Sequence, residues 1–432
     1  MSFFTLEAVP ARYGDCLLLH YGTREDPGLI LIDGGPSQVW EPFLKPRLEA
    51  ILKERPQSFE IDLLMVSHID DDHVLGITDF TKEWVAENTA ERPWRFPVRQ
   101  FWHNSFERVS NDENVGAVTA SVTASVGANT LTEVDREEED DDPEAEQRQA
   151  ARHVLASVAN GKKLRDDLVT LGKKDFTNIG FGGLVRPGVV GKVPVKFGPA
   201  LTFHIAGPLP KQLDALRKTF AEELPKDEKS ALAAFSDTSV PNLSSIVVLA
   251  RFEGRSMLLT GDARGDYVLK GLKEEKLLDA DGRLHVDILK LPHHGSDRNV
   301  DPSFFEKVTA DHYVASADGT FINPDRATLE MIIDARGKDA KFTIHLTYPL
   351  ADIDTQRHKE WDADQASEVR KRAKRIAEGK KPTAIREDWD ESKHGLATLF
   401  AAKEAQGYKF KVAAPASAGP GARIELLDPI DF

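Results

Sequence analysis

Residues 67–76 read Ser-His-Ile-Asp-Asp-Asp-His-Val-Leu-Gly, so four potential metal ligands, His68, Asp70, Asp72 and His73, fall within six residues. In extended backbone, positions 68, 70 and 72 point to one side. One imidazole and two carboxylates then converge, and His73 joins them if the chain turns into a helix there. Converging carboxylates repel one another, and a divalent cation removes that cost. The competing reading is a solvated acidic turn, which the histidine at each end disfavours. Two further stretches carry the same residue types. Asp262 ends Leu-Leu-Thr-Gly-Asp, and His293 and His294 follow Leu-Lys-Leu-Pro, with Gly295 permitting a tight turn. Nitrogen and oxygen donors of this kind suit zinc and, with several carboxylates, manganese. A cation so held brings water toward deprotonation near neutral pH, which is the chemistry of a hydrolase.

Each of these stretches follows a short apolar run with the length of a buried strand: 61–66, 257–259 and 286–291. Three separate strands therefore deliver His or Asp just past their ends. Further strands are expected at 3–9, 16–20, 29–33, 96–102, 200–205, 246–251, 312–317, 342–346, 409–413 and 422–427. Helices are expected at 43–53, from Val74, at 146–158, around Leu213, Leu216 and Phe220, and at 267–278, 327–335 and 364–378. Residues 105–197 change character. They hold a Ser/Thr/Ala/Val-rich stretch and the acidic run Glu133–Glu146, and they read as an insertion with a solvated segment. The expected organisation is a core of residues 1–104 and 198–346, the insertion 105–197, and an extension 347–432 packed on the core.

The 432 residues are 41% apolar and 29% charged, which is ordinary for a globular chain with a sizeable core. A formal charge of −15 argues against a wide basic face for polyanions. A small phosphodiester in a pocket remains compatible, because bound metal supplies positive charge locally. The lone cysteine, Cys16, excludes an intrachain disulfide and a cysteine-rich zinc site. With no secretory pattern at the N-terminus and no run long enough to span a membrane, a cytoplasmic protein is the default.

His-x-Asp-x-Asp-His after an apolar strand resembles the signature loop of metallo-β-lactamase-fold hydrolases, whose usual form is His-x-His-x-Asp-His. The Asp70 form is similar to the metallohydrolase domain of ComEC/Rec2-type DNA-uptake proteins and to its free-standing relatives. So are Leu-Leu-Thr-Gly-Asp, Leu-Lys-Leu-Pro-His-His-Gly-Ser, the Asn242-x-Ser-Ser phrase and the opening Gly-Asp followed by Ile-Asp-Gly-Gly. The resemblance covers residues 3–104 and about 198–346.

It implies an α/β fold, an αββα four-layer sandwich with ligand loops along one edge. It places His68 and Asp70 at a first metal and Asp72, His73 and His293 at a second, with Asp262 bridging the two. Asp72 and His294 carry the catalytic roles, and Asp33 and Ser296 stand behind the ligands. One or two zinc ions are implied, with manganese as the other candidate. The first site lacks its usual third histidine. His103 is a candidate additional ligand, whereas His204 reads as a packed strand residue. Asn323-Pro324 stands where the family has His-Pro. The implied activity is attack of metal-bound hydroxide on a phosphodiester of a nucleic acid or nucleotide. The alternatives are hydrolysis of a carboxylic ester, thioester or lactone, or a metal-stabilised binding protein that has lost turnover.

Overall fold

Strands β2 (Leu17–Thr23) and β3 (Pro27–Ile32) show why the apolar runs are continuous instead of alternating. Leu17, Leu19, Ile30 and Ile32 face one hydrophobic cluster, while Leu18, Leu29 and Leu31 face another. Strands covered on both faces need apolar residues at every position. The structure, a computed structural model, describes residues 1–56, 59–104, 157, 159–188, 194–214, 242–419 and 421–430. The acidic run and the Ser/Thr/Ala/Val-rich stretch lie outside the described residues, as do Leu216, Phe220 and most of 146–158.

Two mixed sheets form the interior. The first has the order β14-β1-β2-β3-β4-β5. Its remaining members are β1 (Ser2–Ala8), β4 (Leu63–Met65), β5 (Phe101–Trp102) and β14 (Ala422–Glu425). The second has the order β13-β12-β11-β10-β9-β8-β7-β6. It comprises β6 (Val195–Phe197), β7 (Leu201–Gly207), β8 (Val247–Phe252), β9 (Arg255–Leu259), β10 (Leu284–Lys290), β11 (Val308–Ala315), β12 (Phe342–Leu346) and β13 (Phe410–Ala413). Each sheet begins as an antiparallel meander and then turns parallel, at β3/β4 in the first and β9/β10 in the second. Parallel pairing requires crossover helices, and these supply the outer layers.

Phe4, Leu6, Ile30 and Met65 of one sheet meet Phe203, Val248, Met257 and Leu259 of the other, filling the sandwich. Outside the first sheet lie α1 (Lys45–Glu54), α2 (Asp71–Thr89) and the helical residues 159–170. Val74, Ile77, Phe80 and Trp84 give α2 an inward stripe at helical spacing. Outside the second sheet lie α3 (Gly265–Glu274), α4 (Pro302–Lys307) and α5 (Arg326–Arg336), anchored by Val268, Phe304 and Ile332. The result is four layers, αββα. The two last strands, β13 and β14, add an edge strand to each sheet.

Three elements differ from expectation. Strand 96–102 contracts to Phe101–Trp102, because Pro97 has no N–H to offer a ladder and Val98 makes only an isolated bridge with Ile61. Helix α2 starts at Asp71 instead of Val74, its acidic first turn complementing the helix N-terminus. Helix α6 (Leu350–Ala377) starts fourteen residues before position 364. Its buried positions include Asp354, Arg357 and Glu360, so no apolar stripe marks it. Arg357 is satisfied by Asp354 at 3.3 Å and by the carbonyls of Ile322 and His394.

Candidate metal centre

The loop after β4 leaves the sheet extended, with Asp70 at φ −69°, ψ 152° in the N-cap position of α2. The next turn lifts Asp71 to His73 into the helix. The helix can sit this close because two glycines meet: a Cβ on Gly76 would collide with the carbonyl of Gly34. Gly34 N–H donates to the His73 carbonyl at 2.8 Å, and Gly76 N–H donates to that of Gly35 at 3.0 Å. Asp33, which ends β3, then holds the loop. It accepts from Ser67 N at 2.6 Å and from Ser67 Oγ at 2.7 Å, and lies 2.9 Å from His73 Nδ1.

The second sheet supplies the other half. Asp262 follows β9, and the turn after β10 holds both His293 (φ 47°) and His294 (φ 56°) in left-handed backbone. Two consecutive side-chain-bearing residues in that region are held by their surroundings, a form of strain that gathers at functional sites. His293 N–H donates to the Gly261 carbonyl at 3.1 Å, and Ser296 N–H closes the turn on the His293 carbonyl at 2.8 Å.

Three of the outer nitrogens are hydrogen-bonded, and the fourth, His294 Nδ1, faces a carboxylate without a hydrogen bond. His73 Nδ1 faces Asp33, and His68 Nδ1 lies 3.1 Å from Ser67 Oγ, whose own proton goes to Asp33. His293 Nδ1 lies 2.7 Å from Asn299 Oδ1, and His294 Nδ1 lies 3.3 Å from Asp15 Oδ1. With Nδ1 carrying the proton in each, every Nε2 presents a lone pair inward.

Those lone pairs meet carboxylate oxygens. His73 Nε2 lies 3.2 Å from Asp262 Oδ1, 3.7 Å from Asp72 Oδ2 and 3.3 Å from His294 Nε2. His294 Nε2 lies 3.1 Å from Asp72 Oδ2 and 3.5 Å from Asp262 Oδ2. His68 Nε2 lies 3.5 Å from Asp70 Oδ2 and 3.8 Å from Asp262 Oδ2, and His293 Nε2 lies 3.5 Å from Asp262 Oδ2. His68 Nε2 and Asp262 Oδ1 are buried without a hydrogen-bond partner among the described residues. Acceptors aimed at acceptors are unfavourable unless a cation sits between them, so the donor set fits a metal.

Electrostatics point the same way. Burial opposes charge on His73, yet Asp262, Asp72 and Asp33 raise its pKa well above the usual histidine value. Burial likewise opposes charge on His294, which Asp262 and Asp15 pull upward. Asp262 is fully buried and held well below the carboxylate range, His73, His294, His293 and His68 outweighing the desolvation. The cluster demands positive charge.

Behind it lies an ion pair. Lys290 Nζ contacts Asp15 Oδ2, and both side chains are 1% exposed. Asp15 turns its oxygens to Lys290 and to the outward Nδ1 atoms of His294 and His73, so it supports those rings from outside. Ser157 Oγ donates to Asp70 Oδ1 at 2.6 Å and Asn160 Nδ2 to Asp71 Oδ1 at 2.6 Å, so residues assigned to the insertion brace the metal loop. Burial, with Asp70 and Asp72 alongside, pushes Asp71 up to about 7.

The structure thus brings His68, Asp70, Asp72, His73, Asp262, His293 and His294 together, with Asp33 immediately behind and Ser296 closing the histidine turn. His103 is buried past β5, its backbone N–H donating to Asn178 Oδ1 at 3.0 Å. Ligand atoms within 4.8 Å of one another form two groups among the described residues, Asp15, His73, Asp262 and His294, and His68, Asp72 and His73; His103 belongs to neither, nor do Asp70 and His293. His204 lies partly exposed on β7. Asp15, Lys290, Ser157 and Asn160 were not singled out by sequence. The one signal was Lys290, a cation inside an apolar strand.

Two sheets in αββα layers, with a His/Asp cluster past the strand ends, coincide with a match of residues 10–158 to the Metallo-beta-lactamase superfamily. The chain has the metallo-β-lactamase fold. No curated protein matches the chain in sequence. A solved structure described as hydrolase AbOPH in the beta lactamase superfamily is similar at 13% identity and a TM-score of 0.25. That match covers 57% of this chain and 56% of the other, so the chain spans little more than half of that protein. No helix among the described residues is long and apolar enough to cross a membrane.

Proposed function

We propose that the protein hydrolyses a phosphodiester, of a nucleotide or nucleic acid, with one or two divalent cations, zinc or manganese, held by the cluster. The observation that carries this reading is the inward set of imidazole lone pairs around the Asp262 carboxylate. Asp72, His73 and His294 would hold one cation and His68 and Asp70 the other, with Asp262 shared. His294, expected in a catalytic role, here sits among the ligands, and His293, expected beside Asp72 and His73, faces Asp262 Oδ2 at 3.5 Å. Such cations polarise the scissile group and supply a deprotonated water near neutral pH.

The chain's own residues do the rest. Asp33 fixes the orientation of the His73 ring and Asp15 that of His294, so their Nε2 atoms face inward before any ligand arrives and give up a proton to a bound cation. The Asp72 side chain is 21% exposed, so its carboxylate reaches the open side and can take the proton of the attacking water. Phosphodiesters suit the site because it gathers five carboxylates, Asp15, Asp33, Asp70, Asp72 and Asp262, against one ammonium, Lys290, which pairs with Asp15. That imbalance favours two divalent ions, the arrangement that clamps both oxygens of an in-line displacement. The ComEC/Rec2-like phrases around Asp70 and His293 support the same substrate class.

Anomalous scattering and elemental analysis identify the metals. Turnover of bis-p-nitrophenyl phosphate with zinc or manganese, abolished in Asp262→Ala, is the expected result. Hydrolysis of thioesters or lactones alone moves the assignment to ester chemistry. Bound metal with no turnover of any of these makes the protein a metal-stabilised binding protein.

A further inference from the structure

Two turns with the same uncommon backbone lie against each other at the edge of the cluster. His293 and His294 occupy left-handed backbone, and so do Phe321 and Ile322, at φ 55° and φ 68°. A β-branched residue such as Ile322 seldom adopts that conformation, so the second turn, like the first, is held by its surroundings. The turns are joined directly. Asp325 N–H donates to the Gly295 carbonyl at 3.0 Å, and Asp297 N–H donates to Asp325 Oδ2 at 2.9 Å. A Cβ on Gly295 would press on that of Pro324 at 2.9 Å, so the backbones meet with no side chain between them.

What holds the second turn comes from the C-terminal extension. Helix α6 passes so close that a Cβ on Gly319 would collide with the Ile353 carbonyl. One helical turn later Arg357, 2% exposed, spreads its guanidinium between neighbouring segments. Nε donates to the Ile322 carbonyl at 3.0 Å, and Nη1 donates to the His394 carbonyl at 2.7 Å and to Asp354 Oδ1 at 3.3 Å. Asp354 accepts in turn from Leu396 N at 2.8 Å and from Ala397 N at 2.9 Å. The guanidinium carbon lies 5.7 Å from the Trp389 ring centroid. Burial works against this charge, with Asp354 and then Asp325 opposing it. A buried ion pair adds little stability over an apolar side chain of the same volume, so what such a group supplies is geometry. The planar fork meets two carbonyls at fixed angles, which a lysine ammonium does not.

We infer that Arg357 is a positioning residue of the metal centre, fixing through the 319–325 turn the backbone from which His293 and His294 reach Asp262. With the Ile322 carbonyl released, residues 321 and 322 relax from left-handed backbone, Asp325 moves with them, and the Gly295 carbonyl loses its donor. The inference rests on the cation reading of the cluster and is independent of the substrate.

The test is cobalt(II) loading, followed by visible absorption, which reports ligand geometry, and by competition against a chelator. Arg357→Lys keeps the charge and loses the fork. It should shift the visible bands and weaken cobalt binding about tenfold, the lower end of what residues behind metal ligands contribute. Asp325→Ala severs the link from the other side and should shift the bands too, so it serves as second variant if Arg357→Lys fails to fold by circular dichroism. Lys403→Met is the control. Lys403 pairs with Asp334 and Glu330 and ties the helix Leu396–Ala405 to α5, so its loss loosens the extension outside both turns and should leave the spectrum unchanged. Wild-type bands and affinity in a folded Arg357→Lys, or in Asp325→Ala, overturn the inference. So does an equal shift in Lys403→Met, which would reduce Arg357 to ordinary packing. Failure of the cation reading shows separately, as wild type that binds no cobalt, and takes the inference with it.

Discussion

Two groups of histidines sit on the second sheet, and only one is built to hold a cation. Past the ends of β9 and β10, His293 and His294 meet Asp262 and the His68–His73 loop, each ring with its outer nitrogen facing an oxygen and its inner nitrogen facing carboxylate. On β11 and β12, His312 Nδ1 and His345 Nε2 face each other at 2.9 Å, half-buried, and neither belongs to a group of three convergent ligand atoms among the described residues. Carboxylates make the difference. They raise His73 and His294, whereas burial lowers His312 and His345. At His312 burial outweighs the upward pull of Asp311 and Asp287, whereas at His73 and His294 the buried carboxylates outweigh burial.

The sharpest way to break the contrast is to remove the shared carboxylate. Asp262→Ala should lose phosphodiester turnover by more than about 100-fold, since even residues behind the ligands are worth 10–100-fold. Metal content by elemental analysis should fall with it. Retention of both would mean that Asp262 is a structural turn residue. Next in size is the buried pair that supports His294. Lys290→Met removes the ammonium that faces Asp15 and leaves the buried carboxylate to the two imidazoles alone, which should cost up to about 3–5 kcal/mol in denaturant melts. The double variant Asp15→Asn/Lys290→Met should recover part of that loss, because no lone charge remains buried. If the single variant unfolds at the wild-type midpoint, the pair does not carry the outer layer of the site.

How much of this was legible follows from how far apart the partners lie. The strands could be read because burial on both faces makes them apolar throughout, and the loop because four ligand types crowd one six-residue stretch. Asp262 and the His pair stood out as polar residues ending apolar runs. Asp15 and Lys290 did not, since each looks like an ordinary charge until the fold joins residues 275 positions apart. Ser157 and Asn160 reach Asp70 and Asp71 across about ninety residues, from the end of the helix expected at 146–158 and just past it, where short polar side chains look like any solvated surface. The first half of α6 was hidden because its inward positions are Asp354, Arg357 and Glu360, whose burial depends on mutual pairing and on neighbouring carbonyls.

A subtler change sharpens the contrast from the metal side. Asp33→Asn keeps the shape of the support but replaces the acceptor facing His73 Nδ1 with an amide that can turn either way. The ring is then free to present N–H inward. Metal affinity should fall about 10–100-fold, with the fold intact by circular dichroism. Unchanged affinity in a competition titration against a chelator would show that the tautomer is fixed elsewhere.

The smallest effect belongs to the other histidine pair, and its sign separates the two groups. Burial, with His312 alongside, lowers His345 from 6.5 to about 4. Above pH 6.5 both folded and unfolded chains hold a neutral ring, so the contribution is fully present. Between 6.5 and about 4 the unfolded chain takes up a proton that the folded chain refuses, and stability falls as pH falls. Allowing for partial solvent exposure, the loss is about 1–2 kcal/mol. His345→Gln removes the titrating ring, so its melting temperature should decline less than that of wild type from pH 7 to 4.5, and the two curves should run parallel above pH 7. A wild-type curve that instead gains stability on acidification would mean that the pair holds a proton, as the metal-side histidines do, and the distinction drawn from their neighbours would fail.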